Sequence, residues 1–137
     1  GTTCNIADEE LPFMDYRLMM ERISKVKFTL LAFQSRTDPQ YANDIYSLPN
    51  KLYDSLAAGT PVILDSRFVS MKRIVEDTQT GVVLDLVEPS KRSSSFLNDS
   101  EAYDLYLDNL RSNYDEFVWD SSKEDIFLDF VSNVLKS

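Results

Sequence analysis

An α/β fold built on an open parallel sheet is predicted by three features of the sequence. Short, nearly uniform apolar runs at 28–33, 61–64 and 81–84 read as strands, and the lack of polar alternation favours burial on both faces of a parallel sheet. Segments with helical apolar periodicity lie between them. The turns around the second and third runs are tight, as strand–helix alternation requires, and crossovers of this kind are right-handed.

The elements follow in order. Asp15 caps a helix from Tyr16, where Leu18, Met19, Arg22 and Ile23 recur at three- and four-residue spacing. Phe28–Phe33 is the first strand. Residues 34–46 form a long polar loop carrying Arg36, Asp38 and Asp44. Pro49 suits the start of the next helix because it has no N–H to leave unpaired, and Ser47 is the expected cap. Leu52, Tyr53, Leu56 and Ala57 make its inward stripe, and Gly59 supplies the positive φ that ends it. Pro61–Leu64 is the second strand and Asp65-Ser66-Arg67 its turn. A helix over 68–77 buries Phe68, Met71, Ile74 and Val75, and Gly81–Leu84 is the third strand. Residues 85–100 read as a surface loop. One helix is expected over 101–118, with Tyr103, Leu107, Leu110, Tyr114 and Phe117 on one face. A last helix, 123–135, is expected to bury Ile126, Phe127, Phe130, Val131 and Val134.

Composition narrows the function classes. At 137 residues the chain is sized for one domain. A net charge of −9 argues against a nucleic-acid backbone binder. With no histidine, a histidine base, a histidine metal ligand and a Ser-His-Asp arrangement are excluded within this sequence. Its single cysteine, Cys4, makes no intrachain disulfide and no half of a thiolate cluster. The longest apolar run is too short to span a bilayer. No structural metal is assigned, since no dense acidic, histidine or cysteine cluster exists in the sequence.

The string from Ser47-Leu48-Pro49-Asn50-Lys51-Leu52-Tyr53-Asp54 through Ala58-Gly59-Thr60-Pro61-Val62-Ile63 resembles the C-terminal, nucleotide-binding domain of GT-B glycosyltransferases of the group 1 type. Ile74-Val75-Glu76-Asp77, Thr80–Val83 and the stretch around Trp119 continue the likeness, which runs from about Phe13 to Leu135. The resemblance implies a partial Rossmann-like parallel sheet with flanking helices. It also implies a donor-nucleotide-binding domain over 1–137 that is incomplete, with 101–137 as a helical tail.

The activity implied is sugar transfer from a nucleotide-linked donor, UDP- or GDP-linked, in polysaccharide biosynthesis. The donor is a substrate, and no cofactor is expected. In that family a helix acid binds the ribose hydroxyls, a role that falls on Asp54. Many relatives carry Glu there, and a second acid about two turns earlier; Tyr46 holds that spacing here, with Asp44 the nearest acid. The implied partners are a missing N-terminal acceptor domain and a glycan or lipid-linked acceptor at a membrane surface, with the enzyme cytoplasmic or peripheral to the membrane and no nucleic acid involved. The chain is expected to be the distal part of a larger enzyme and inactive alone, and no catalytic residue is assigned.

The local chemistry agrees with that role. The start of the helix near Pro49 offers free N–H groups and a positive dipole end to a diphosphate, through the backbone of Ser47, Leu48, Asn50 and Lys51, and Lys51 adds a point charge. A carboxylate one turn deeper, Asp54, accepts both ribose hydroxyls while staying clear of the phosphates. The same residues also fit an ordinary strand-to-helix junction with a solvated acid. Two other classes therefore stand beside the enzyme: a non-catalytic α/β interaction module related to glycosyltransferases, and a phosphate-sensing response domain, which lacks the early acidic cluster it would need.

Overall fold

The structure, a computed structural model, describes residues 9–32, 45–86 and 94–136. Among these the elements are α1 (Tyr16–Ile23), β1 (Thr29–Leu31), α2 (Asn50–Ala57), β2 (Val62–Asp65), α3 (Val69–Thr78) and β3 (Gly81–Leu84). A 3₁₀ turn (Ser95–Asn98) follows, and then α4 (Ser100–Ser112), α5 (Tyr114–Phe117) and α6 (Ser121–Lys136). The three strands form one parallel sheet in the order β1-β2-β3, with Thr29 beside Val62 and Val62 beside Gly81. This is an α/β architecture compatible with a Rossmann-like fold.

Local chemistry accounts for most element ends. Asp15 caps α1 as its sequence position predicts, its carboxylate accepting from the Leu18 N–H at 3.0 Å. Gly59, at φ +77, takes the left-handed position just past α2. Pro49 is the residue ahead of α2, and its fixed φ, here −69, sets the helix entry.

The core lies on one face of the sheet. Leu31, Val62 and Leu64 from the strands meet Leu52 and Leu56 of α2, and Phe68, Met71 and Val75 at the start of and along α3. Burying each such side chain is worth about 1.5–3 kcal/mol. Leu110 and Phe117 close this core from α4 and α5.

The opposite face carries Leu30, Ile63 and Val82, which share one register row. Ile63 and Val82 are half-buried, and Leu30 is 61% exposed. The expectation that the first strand is buried on both sides is therefore corrected. Two right-handed crossovers between strands in sequential order put α2 and α3 on the same face, and among the described residues β1 is an edge strand. Just ahead of β1, Phe28 meets Phe96 and Tyr103 edge-to-face at 5.8 and 5.4 Å, so the 3₁₀ turn and α4 cover that corner.

Two further expectations change. The helix expected over 101–118 divides at Asn113, which has φ −104 and ψ 12; its backbone N–H still donates to the Asn109 carbonyl at 3.0 Å, and its side-chain amide donates to the same oxygen at 2.8 Å. In α6 no residue is buried, although Ile126, Phe127, Phe130 and Val134 recur at helical spacing. The periodicity reports an amphipathic helix correctly, but no described element covers its apolar side. Trp119 is exposed as well and stands edge-to-face against Phe127 at 6.1 Å.

Candidate functional site

A right-handed β1-α2-β2 unit sets α2 antiparallel to its strands, so α2 begins on the side of the sheet's carboxyl edge. Ligands of open α/β sheets bind at that edge. Leu52 and Leu56 point into the core, which turns Asn50, Lys51 and Asp54 outward. Residues three and four apart on a helix are neighbours, so these three side chains share one outer surface over the first turns of α2. Ser47 and Leu48 lie just before it, both exposed. The structure thus brings together Ser47, Leu48, Asn50, Lys51 and Asp54. Asp44, Arg36, Asp38 and the basic residues Lys91 and Arg92 lie outside the described residues.

Asp54 has a partner that its spacing did not reveal. The Tyr16 hydroxyl, from the first residue of α1, donates to Asp54 Oδ1 at 2.8 Å. That hydrogen bond, with smaller contributions from burial and from the carboxylate's charge, raises the Tyr16 phenol above its ordinary value. The other end of α1 is fixed separately, by the buried Thr60 hydroxyl donating to the Ile23 carbonyl at 2.7 Å. Asp54 thus lies on the exposed seam between α1 and α2, with Oδ2 as its second acceptor.

A second feature at the carboxyl edge is the Asp65–Arg67 pair. Asp65 ends the central strand and is 1% exposed. Its Oδ2 accepts from Arg67 Nε at 2.9 Å and from Nη2 at 2.6 Å, and its Oδ1 from the Arg67 backbone N–H at 3.1 Å. Hydrogen bonding to Asp65, reinforced by the charges of Asp65 and Asp85, raises the Arg67 pKa, against a smaller lowering by burial. Sequence reasoning placed these residues in a turn. An acid ending a buried strand with an arginine two positions on was the available sign of an ion pair.

A cavity of about 530 Å³ lies elsewhere, between β3, α3 and α4, with Val82, Val83, Leu105 and Tyr106 on its walls. Burial and then the charge of Asp99 raise the Tyr106 phenol. Glu76 and Asp77 are exposed and stand 3.8 Å from Lys72 and Arg73 respectively. Among the described residues no three His, Cys, Asp or Glu side chains converge as a metal site would need. Nor is any described helix long and apolar enough to cross a membrane.

In comparisons with known proteins, no family model, no curated protein and no solved structure matches this chain.

Proposed function

We propose that this chain is the donor-nucleotide-binding part of a GT-B-type glycosyltransferase, with Asp54 as the acceptor for the ribose hydroxyls of a UDP- or GDP-linked sugar. The observation that carries the reading is the placement of Asp54: an outward carboxylate a turn into the helix that follows a parallel strand, on the side of the sheet's carboxyl edge. Ahead of it the α2 start presents the backbone of Asn50 and Lys51 to a diphosphate. Lys51 brings a cation to the same surface, and Asp44 is the candidate for the donor sugar. The GT-B assignment, the missing acceptor domain, the glycan or lipid-linked acceptor and the cytoplasmic or membrane-peripheral setting belong to the same proposal.

The test is calorimetric titration of the full chain with UDP, GDP and their sugar conjugates up to millimolar concentration. Binding by wild type and a loss of about tenfold or more in Asp54→Ala are expected, since a charge-assisted hydrogen bond is worth about 1.5–3 kcal/mol. Equal affinity in wild type, Asp54→Asn and Asp54→Ala removes Asp54 from the site. Absence of binding by every nucleotide removes the enzyme reading.

A non-catalytic interaction module is the second reading, favoured by the uncovered apolar side of α6 and by Trp119 beside it. It predicts no nucleotide binding and a folded chain whose α6 substitutions abolish association with a protein partner.

A further inference from the structure

We infer that Tyr16 is a positioning residue for Asp54 and sets how strongly the site prefers a vicinal diol over a single hydroxyl. The inference rests on the proposed donor-nucleotide reading and goes one residue beyond it, to a side chain 38 positions away in sequence.

A lone aspartate on an exposed helix surface turns freely about its side-chain torsions. Holding it for a ligand costs rotamer entropy at each binding event. Here the Tyr16 hydroxyl takes one lone pair of Oδ1 at 2.8 Å, which fixes the carboxylate before any ligand arrives. An ionised carboxylate has about four acceptor positions on two oxygens. One is occupied, and both oxygens keep capacity for further donors. Two adjacent hydroxyls, each donating to its own oxygen, need the carboxylate plane at one angle; one hydroxyl tolerates many. Fixing that plane therefore favours the diol selectively.

The geometry around Tyr16 supports this assignment over a purely structural tie. Tyr16 is 62% exposed, so its hydroxyl adds little to the core. α1 has a second tie to the body of the fold at its far end, the bond from the Thr60 hydroxyl to the Ile23 carbonyl, so Tyr16 does not anchor the helix alone. The hydrogen bond to Asp54 is also the largest cause of the raised phenol pKa, ahead of burial.

The experiment compares UDP with 2′-deoxy-UDP, and GDP with 2′-deoxy-GDP, by calorimetry on the full chain, as wild type, Tyr16→Phe and Asp54→Asn. Tyr16→Phe keeps the ring and removes only the hydroxyl. The expected result is a ribose preference in wild type that Tyr16→Phe narrows by about threefold to tenfold, the size of one hydrogen bond, with deoxynucleotide affinity nearly unchanged. Asp54→Asn should lose most of the preference. A ligand-free readout accompanies this: the Tyr16 phenol, followed by its ultraviolet titration against Tyr16→Phe as blank, should titrate at lower pH in Asp54→Asn than in wild type.

An undiminished ribose preference in Tyr16→Phe overturns the inference and leaves the nucleotide reading intact. An unchanged Tyr16 titration in Asp54→Asn overturns it too, whatever the nucleotides do. Failure of wild type to bind any of the four nucleotides overturns the nucleotide reading and this inference with it.

Discussion

Asp65 shows what one charged side chain demands of its surroundings. A carboxylate at 1% exposure must be paired, because an isolated buried charge is costly. Arg67 meets that demand, with its own side chain 34% exposed. Replacing Arg67 with Met keeps the apolar stem and strands the carboxylate. The expected loss is about 2–3 kcal/mol by chemical denaturation, below the about 3–5 kcal/mol of a fully buried pair because water reaches the Arg67 end. A loss of less than about 0.5 kcal/mol would show that Asp65 has another adequate partner. Tyr16 gives a pH effect of definite sign. Its folded pKa is raised, so the protonated phenol is the favoured form in the fold. Any stability from the Tyr16–Asp54 bond is fully present below the unfolded value near pH 10 and is lost as pH rises through the folded value. The stability gap between wild type and Tyr16→Phe is therefore expected to stay constant from pH 7 to 9 and to shrink above 10. A gap that widens in alkali would contradict the bond.

Between neighbouring elements, β2 and β3 meet through a glycine. A Cβ at Gly81 would run into the Val62 carbonyl oxygen and crowd the Val62 backbone nitrogen, both main-chain atoms of the adjacent strand. Gly81→Ala is expected to cost about 1–3 kcal/mol, the range for forced overpacking, visible as a lowered thermal midpoint. An unchanged midpoint would mean that the strands separate without penalty. The run from α2 to β3 was legible in the sequence because its limits are written locally: Pro49 and Gly59 bracket α2, and Leu52, Leu56, Met71 and Val75 mark the buried sides. The exposure of Leu30 was not, because an apolar residue in a strand says nothing about which face the crossovers will cover. Likewise, Asp54 was legible as an outward helix acid, but its Tyr16 partner came from a helix 38 residues away that only the tertiary arrangement brings near. The break at Asn113 was hidden for a different reason: Leu110, Tyr114 and Phe117 keep helical spacing across it.

On the scale of the whole molecule, apolar surface is divided unevenly. One sheet face is closed by α2 and α3, while the other face and α6 leave Leu30, Ile126, Phe130 and Leu135 largely exposed. Substitutions should follow that division. Leu56→Ala, at a fully buried site, is expected to cost about 2–5 kcal/mol. The pair Ile126→Lys with Phe130→Lys should leave the thermal midpoint of the monomer within error of wild type and raise solubility, because it shrinks an exposed apolar patch. A large drop in midpoint for the α6 pair would mean that this side of α6 is covered in solution.

The strand order also bears on how the fold assembles. β2 and β3 pair positions 19 residues apart, Val62 with Gly81, whereas β1 and β2 pair positions 33 residues apart, Thr29 with Val62. Closing the longer loop costs about 0.5 kcal/mol more in chain entropy, and β1 is the three-residue strand that joins last on that count. α1 is tied to the rest through Thr60 and Asp54, so it follows β1 into place. On that count the Tyr16–Asp54 bond is expected to form late and open first, which hydrogen exchange would show as weaker protection of the α1 amides than of those in β2 and β3. Local opening there would release α1 while β2, α3 and β3 stay folded, so Asp54 would lose its Tyr16 partner before the sheet core is disturbed.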